Sequence, residues 1–174
     1  MAKFSKADQR GPVPNRTVNG MVRPLKGLVL HIEEGSEEGT NSWFHNSKSQ
    51  VSAHFGNPKK GNLDQWVDTK DKAWAEEGGN SEWISIENEG KSGDSLTPSQ
   101  LENVAQLLAW LHRTEGIPLQ ITNKVTRRGL GWHGMGGAAW GDHLACPGDP
   151  IKHQRPAIIA RAKEIVGKSP KEGN

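Results

Sequence analysis

Three side chains of the types that bind zinc stand far apart along this chain: His31, His133 and Cys146, the last being the only cysteine. Imidazole and thiolate are preferred zinc ligands, and catalytic zinc sites commonly use three protein ligands and leave a fourth position to water. Taken singly, a histidine is most often solvated or hydrogen-bonded, and a lone cysteine is most often a small buried apolar residue. Their context strengthens the metal hypothesis, because His31 ends an apolar segment and the other two fall in one glycine-rich stretch. The sequence therefore predicts a zinc site at the edge of a sheet.

A carboxylate beside such a site is provided by the segment at residues 82–87. The period of two in a strand places Ile84 and Ile86 on one face and Glu87 on the other. Zinc lowers the pKa of its bound water to about 7, and a nearby carboxylate can take that water's proton and return it to a departing amine. These residue types together are suited to hydrolysing an amide bond. Glu89 lies on the same strand face and is the alternative acid.

Apolar patterns predict the strands that must position these groups. Residues 27–31 form a continuous apolar run, as expected of a strand covered on both faces. Residues 51–55 and 63–67 alternate in polarity and are separated by turn-forming residues 57–62, which predicts an antiparallel hairpin. Residues 82–87 are predicted to form a fourth strand.

The clearest helix is predicted to begin at Thr97, with Pro98 at its first position and Gln100 closing a capping box. It is predicted to end near Gly116, and its apolar residues recur at helical spacing and make one core face. The pattern is typical of a helix that packs on a sheet.

Two further helices are predicted, a short one around residues 42–46 and a last one at about 154–166. Residues 126–150 are predicted to be a long glycine-rich loop. Loops of this length inside a compact domain are usually functional or disordered, and the histidines, tryptophans and cysteine of this one favour function.

Composition limits the class of protein. The chain has 174 residues, with 22 Lys and Arg against 20 Asp and Glu, and this near balance argues against binding nucleic acid through bulk charge. No apolar run approaches the roughly 20 residues of a membrane span, and residues 1–24 contain no secretory signal pattern.

We expect an α/β fold, a single domain with a mixed central β-sheet flanked by α-helices and a zinc ion in a surface groove. The expected divisions are an irregular N-terminal arm at 1–24, a catalytic domain at 25–167 and a flexible tail at 168–174.

Five short segments resemble, in order, the zinc-dependent N-acetylmuramoyl-L-alanine amidases related to peptidoglycan recognition proteins. The segments are Leu28-Val-Leu-His31, Val51-Ser-Ala-His-Phe55, Trp83-Ile-Ser-Ile-Glu-Asn-Glu-Gly90, Gly131-Trp-His133 and Ala145-Cys-Pro-Gly148. They span about residues 24 to 166. The combination of Trp-His with Cys-Pro-Gly especially resembles the amidase domains of phage endolysins that attack actinobacterial walls.

The resemblance implies that His31 and His133 are the two histidine ligands of zinc and that Cys146 is the third ligand. It also implies that Glu87 is the catalytic carboxylate. The implied reaction is hydrolysis of the amide between the lactyl group of muramic acid and L-alanine of the peptidoglycan stem peptide.

The sequence departs from the family in two places. Many relatives place Lys, Thr or His two residues before the third ligand, where this chain has Leu144. We expect the neighbouring His143 to donate to the tetrahedral intermediate instead, the alternative being that zinc alone stabilises it. Some relatives have a tyrosine at the position of Ala53, and this chain has no tyrosine at all. The comparison gives His54 no ligand role, so we expect a buried, hydrogen-bonded histidine there.

Substrate recognition calls for aromatic surfaces around the metal groove. We expect Trp74, Trp132 and Trp140 to bind substrate because they lie in or beside predicted loops. From the sequence, Trp43 and Trp66 could each either pack in the protein interior or bind substrate.

The expected partner is bacterial peptidoglycan, and we expect a monomer that binds neither nucleic acid nor membrane. As an endolysin it would stay in the host cytoplasm before lysis and act on the wall after the membrane is breached.

The sequence leaves two alternative functions open. One is a non-catalytic peptidoglycan-binding module, although relatives of that kind usually lack the cysteine ligand. The other is a cysteine-dependent wall hydrolase with Cys146 as nucleophile and His133 or His143 as base, although Pro147 and Gly148 offer no helix start to activate the thiol.

Overall fold

The computed structural model describes residues 3–168, which form a six-stranded mixed sheet, a two-stranded ribbon and three α-helices. The strands are β1 (Ala7–Gln9), β2 (Arg16–Thr17), β3 (Gly27–Ile32), β4 (Phe55–Asn57), β5 (Leu63–Gln65), β6 (Lys72–Ala73), β7 (Trp83–Asn88) and β8 (Gly129–Trp132). The helices are α1 (Glu37–His45), α2 (Pro98–Glu115) and α3 (Asp149–Gly167), with 3₁₀ segments at Ser47–Ser49, Glu77–Gly79 and His133–Trp140. No helix within residues 3–168 is both long and apolar enough to cross a bilayer.

The strand order of the main sheet is β1-β5-β4-β7-β3-β8. Strand β3 pairs in parallel with both β7 and β8, β7 in parallel with β4, and β4 antiparallel with β5. This confirms the predicted α/β domain with a mixed central sheet. The register sets His31 opposite Glu87 and Leu30 opposite Trp132. The carboxyl ends of three neighbouring strands therefore meet at one edge, which is where open α/β sheets usually bind ligands.

The two faces of the sheet are covered differently, as the alternation in β7 predicts. Ile84 and Ile86 belong to the main core, which includes apolar residues of α2 and α3. On the other face Trp83 packs with Val29 and Trp140 in a small separate cluster. The side chain of Glu87 projects on this second face, away from the two long helices.

Helix α2 forms as predicted, with its capping box and its end intact. Thr97 Oγ1 accepts from the Gln100 N–H, and the Gln100 side chain accepts from the Thr97 N–H at 3.0 Å. Gly116 ends the helix in the left-handed conformation, at φ 65°, which glycine adopts without steric penalty.

The predicted hairpin is confirmed, but its first strand starts later than expected. Phe55 pairs with Gln65 and Gly56 with Asp64. Residues 51–54 stay outside the strand because their backbone donors have other partners. The Ser52 N–H donates to the Trp74 carbonyl at 3.1 Å, and the His54 N–H donates to Ser85 Oγ at 3.2 Å.

The sequence predicts an irregular arm at residues 1–24, but part of this arm belongs to the sheet. Strand β1 pairs in parallel with β5 at the sheet edge, and Phe4 and Val13 are buried. A three-residue strand has too little alternation to be read from sequence, and its pairing depends on a distant segment. The predicted tail at 168–174 lies outside the described residues except for its first residue.

The prediction of a long loop at residues 126–150 is wrong. This stretch contains β8, the 3₁₀ segment His133–Trp140 and the start of α3, which begins earlier than residue 154. The apolar pattern of the sequence does not predict β8, because Gly129 and Gly131 interrupt that pattern and glycine is unfavourable in strands. Glycine is required at Gly129, because its φ is 142° and a Cβ there would lie 2.3 Å from the Gln120 carbonyl oxygen.

Candidate metal centre and active site

The structure brings the three predicted ligands together. One donor atom each of His31, His133 and Cys146 lies within 4.8 Å of the other two. His31 is the penultimate residue of β3, and His133 follows directly after the neighbouring strand β8. Two nitrogens and one sulfur at this separation match the ligand types of a zinc site with three protein ligands.

Backbone hydrogen bonds hold Cys146 beside β3. The Gly134 N–H donates to the Cys146 carbonyl at 3.1 Å, and the Cys146 N–H donates to the His143 carbonyl at 3.0 Å. The Ile32 N–H points at Cys146 Sγ at 3.4 Å. This last contact favours the thiolate, the form that binds a metal.

The surroundings of the two histidine rings indicate which ring nitrogens face the metal position. His133 Nε2 lies 3.2 Å from the Trp140 carbonyl oxygen, so Nε2 donates its hydrogen there and leaves the Nδ1 lone pair free. His31 Nε2 is buried without a hydrogen-bond partner among the described residues. His31 Nδ1 faces Glu87, a residue that lines the cavity described below, so Nδ1 is the nitrogen on the cavity side.

Burial sets the protonation of the three ligands. It lowers the pKa of His133 to about 4 and the pKa of His31 well below its ordinary value, so both rings are neutral at pH 7. Burial also raises the pKa of the Cys146 thiol far above its ordinary value. A metal ion must therefore displace the thiol proton on binding. The same shift disfavours Cys146 as a free nucleophile, because the thiolate is the reactive form.

Glu87 stands beside the ligands with an unused carboxylate oxygen. Its Oε1 lies 3.8 Å from His31 Nδ1, and its Oε2 is buried without a hydrogen-bond partner among the described residues. Burial, reinforced by the charge of Glu33, raises the pKa of Glu87 to about 8. The alternative acid, Glu89, does not line the cavity and accepts the Lys59 N–H at 2.6 Å. Of the two acids, only Glu87 is placed to act at the metal position.

A second buried carboxylate, Glu76, was not among the predicted site residues. Its Oε2 lies 3.9 Å from His31 Nε2, on the side of the ring opposite Glu87, and its side chain is 1% exposed. Burial, together with the charge of Glu87, raises the pKa of Glu76 well above its ordinary value. Nothing in the sequence signals this position, because a glutamate beside Glu77, Gly78 and Gly79 is typical of a solvated turn.

The ligands and Glu87 line an open cavity of about 540 Å³. His143 also lines it, with its ring stacked on that of His133 at a centroid distance of 4.6 Å. Leu144 lies at the same rim and is largely exposed, and it has no side-chain donor to offer. The loop therefore brings His143 to the cavity at the place where Leu144 departs from the family pattern.

Of the three tryptophans expected to bind substrate, only Trp74 lines the cavity. The prediction for Trp140 is wrong, because its side chain is buried edge-to-face against Trp83 at 5.6 Å. Trp132 lies outside the cavity wall, where its Nε1–H donates to Asn123 Oδ1 at 3.0 Å. Trp43, which the sequence left open, lines the cavity and is 54% exposed.

His54 has the structural role expected of it. Its ring is buried, with Nδ1 3.0 Å from Ser85 Oγ and Nε2 3.0 Å from the Asp71 carbonyl oxygen. Burial lowers its pKa to about 4. It joins β7 to a neighbouring loop and takes no part in the ligand set.

Comparisons with known proteins bear on the family and the fold of this chain. A curated relative, N-acetylmuramoyl-L-alanine amidase A of Achromobacter lyticus, is 38% identical over 69 residues, which is 39% of each chain. The matched part thus spans well under half of that relative. Among solved structures, AmiA of Staphylococcus aureus superposes with a TM-score of 0.68 at 16% identity, covering 95% of this chain and 84% of that one.

Two further structures show the same fold at low identity. An AmpD structure gives a TM-score of 0.66 at 18% identity, covering 91% of this chain and 98% of that one. The catalytic domain of XlyA gives 0.63 at 18% identity, covering 90% and 99%. The sequence pattern of the family described as N-acetylmuramoyl-L-alanine amidase (Amidase_2) matches residues 21–149, a stretch that contains His31, Glu87, His133 and Cys146. Because this match takes in most of the chain, the protein belongs to the N-acetylmuramoyl-L-alanine amidase family.

Proposed function

We propose that the protein is a zinc-dependent amidase that hydrolyses the bond between the lactyl group of muramic acid and L-alanine of the peptidoglycan stem peptide. The observation that carries this proposal is the convergence of His31, His133 and Cys146 beside the unpartnered carboxylate of Glu87 in an open cavity.

The residues present fit a zinc ion. Two neutral imidazoles and one thiol supply three donors of the types that zinc prefers, and the open cavity leaves room for water and substrate. When bound, zinc would supply hydroxide at neutral pH and polarise the scissile carbonyl. His31, His133 and Cys146 would hold it.

Glu87 would move the proton. Its carboxylate would accept the proton of the attacking water and return it to the departing L-alanine amine. Burial raises the pKa of Glu87 to about 8, and the positive charge of a bound zinc ion would favour the carboxylate form that the base requires. The free Oε2 is the atom available for this exchange.

His143 would stabilise the oxygen of the tetrahedral intermediate. Its ring lies at the cavity rim against His133 and is exposed, so an N–H can reach a bound substrate. Leu144 offers no such donor. A hydrogen bond that forms to the developing charge stabilises the transition state more than the substrate.

Trp74 and Trp43 would contact the glycan and peptide. Both line the cavity and keep part of their indoles accessible, whereas the ligands lie deeper. Flat apolar surfaces beside a polar centre are the usual means of holding a sugar or peptide.

We further propose the biological role of a phage endolysin that acts as a monomer on peptidoglycan. It would remain in the host cytoplasm until the membrane is breached and then cut the wall. Support comes from the Trp-His and Cys-Pro-Gly segments and from solved endolysins among the proteins of similar fold, such as a mutant endolysin from Bacillus subtilis.

Zinc analysis paired with mass analysis of digested wall tests the proposal. We expect one zinc per chain and new amino-terminal L-alanine in the digest. His133→Ala should lose both metal and activity, whereas Glu87→Ala should lose activity and keep the metal. Hydrolysis that survives chelation but not alkylation of Cys146 would establish a thiol hydrolase instead. Wall binding without release of amino termini would establish a binding module.

A further inference from the structure

Glu76 is a buried carboxylate directly behind one of the metal-binding histidines. Its residue is 1% exposed, and its Oε1 has no hydrogen-bond partner among the described residues. A buried carboxylate oxygen without a hydrogen-bond donor is unfavourable, so its presence calls for a partner that forms in another state of the protein.

The backbone around Glu76 is built to keep it there. Asn80 Oδ1 accepts the N–H groups of both Ala75 and Glu76, at 2.8 and 2.6 Å. Gly79 allows the turn to close, because a Cβ there would lie 2.6 Å from the Trp140 indole and 2.8 Å from Glu76 Cγ. The side chain is therefore fixed in the interior by its own turn.

The atom that Glu76 faces is His31 Nε2. This nitrogen is itself buried and unpartnered, and Glu76 Oε2 lies 3.9 Å from it. This distance is too long for a hydrogen bond, but a shift of about 1 Å would bring the two atoms to hydrogen-bonding distance. His31 Nδ1, on the opposite side of the ring, is the nitrogen next to the cavity and Glu87.

We propose that Glu76 is a positioning residue that accepts a hydrogen bond from His31 Nε2–H and so orients Nδ1 toward the metal. The proposal rests on the zinc site of the proposed function. A metal at Nδ1 requires the hydrogen to be on Nε2, and Glu76 is the acceptor within reach. Such outer carboxylates fix the ring and make the ligand nitrogen more basic.

The other histidine ligand has a corresponding arrangement. The Trp140 carbonyl accepts from His133 Nε2 at 3.2 Å, and the Trp140 indole packs over Gly79 beside Glu76. One packed unit thus provides the acceptors for both histidines, a neutral carbonyl for His133 and a carboxylate for His31.

The test measures zinc affinity and stability separately, by competition with a chelator and by thermal unfolding of the metal-free protein. The variants are Glu76→Gln, Glu76→Ala and the matched control Glu77→Gln, which makes the same change at an exposed neighbouring side chain. Loss of such an outer acceptor typically weakens metal binding 10- to 100-fold. We expect about a tenfold loss for Gln, whose amide oxygen is a weaker acceptor, and about a hundredfold loss for Ala.

The metal-free Glu76→Gln protein should unfold at no lower temperature than the unaltered protein, since it loses a buried unpartnered carboxylate and no hydrogen bond. Glu77→Gln should change neither measurement. Unaltered zinc affinity in Glu76→Gln would overturn the inference, as would a loss of affinity matched by an equal loss of metal-free stability. If the unaltered protein itself binds no zinc, the proposed function fails first.

Discussion

Replacing Glu87 by glutamine separates proton transfer from metal binding. The substitution keeps the shape of the side chain and removes its ability to take up a proton. Glu87 is not one of the three grouped donors, and its nearest contact with them is the 3.8 Å approach to His31 Nδ1. We therefore expect catalysis to fall sharply while zinc affinity stays within a few-fold of its original value.

The size of the effect follows from the role assigned to the carboxylate. A positioned general acid or base contributes about 10²- to 10⁴-fold to rate. At about 1.36 kcal/mol for each factor of ten, Glu87→Gln should raise the activation free energy by about 2.7 to 5.4 kcal/mol. Folding should not suffer, because Glu87 Oε2 makes no hydrogen bond to lose.

The assay is the initial rate of L-alanine amino-terminus release from a soluble muropeptide, with bound zinc measured on the same sample. Glu89→Gln is the matched control, because Glu89 shares the strand face but binds the Lys59 N–H outside the cavity. It should retain activity within about threefold. The reasoning is refuted if Glu87→Gln keeps near-full activity, or if its loss of activity merely follows a loss of zinc.

Other substitutions test the remaining assignments. Trp74→Ala should raise KM by up to about tenfold with a smaller change in kcat, as expected for an aromatic contact of about 0.5–1.5 kcal/mol, while Trp132→Phe should leave muropeptide kinetics unchanged. His143→Ala should lower kcat about 10²- to 10³-fold with zinc content intact, and a lesser effect would assign that stabilisation to the metal alone. Burial raises the pKa of Glu37 to about 11, so the folded state keeps a proton that the unfolded chain releases above about pH 4.5. The free energy of unfolding of the metal-free protein should therefore fall as pH rises from 7 to 8, a range above the ordinary pKa of the three buried histidines. Glu37→Gln should flatten that decline in urea unfolding at the two pH values, and an unchanged slope would contradict the assignment.

The centre of the site could be predicted from sequence because parallel strands bring their ends together. His31 ends an apolar run, and alternation in β7 puts Glu87 on the face away from the helices. Both are local signals, and the structure sets the two residues opposite each other in register. The capping box of α2 is equally local and is likewise found where it was predicted.

The missed features depend on contacts between distant segments. Strand β8 contains two glycines, so its composition resembles that of a loop, and the requirement for glycine at Gly129 comes from its contact with the distant Gln120 backbone. Strand β1 is defined only by its pairing with β5. Trp140 lies in a glycine-rich segment but is buried against Trp83, and Glu76 is buried by its own turn. Residues buried in this way are not marked by the repeating apolar spacing that identifies buried positions in helices and strands.

The placement of the ligands on β3, after β8 and before α3 has a consequence for how the protein matures. The donors are far apart in the sequence, and they become neighbours only when β3 has paired with β8. Contacts so distant in sequence form late, because closing long loops is entropically costly. Metal binding therefore requires that the central sheet has formed. A nascent or truncated chain that lacks β8 has no complete metal site and cannot begin to hydrolyse substrate.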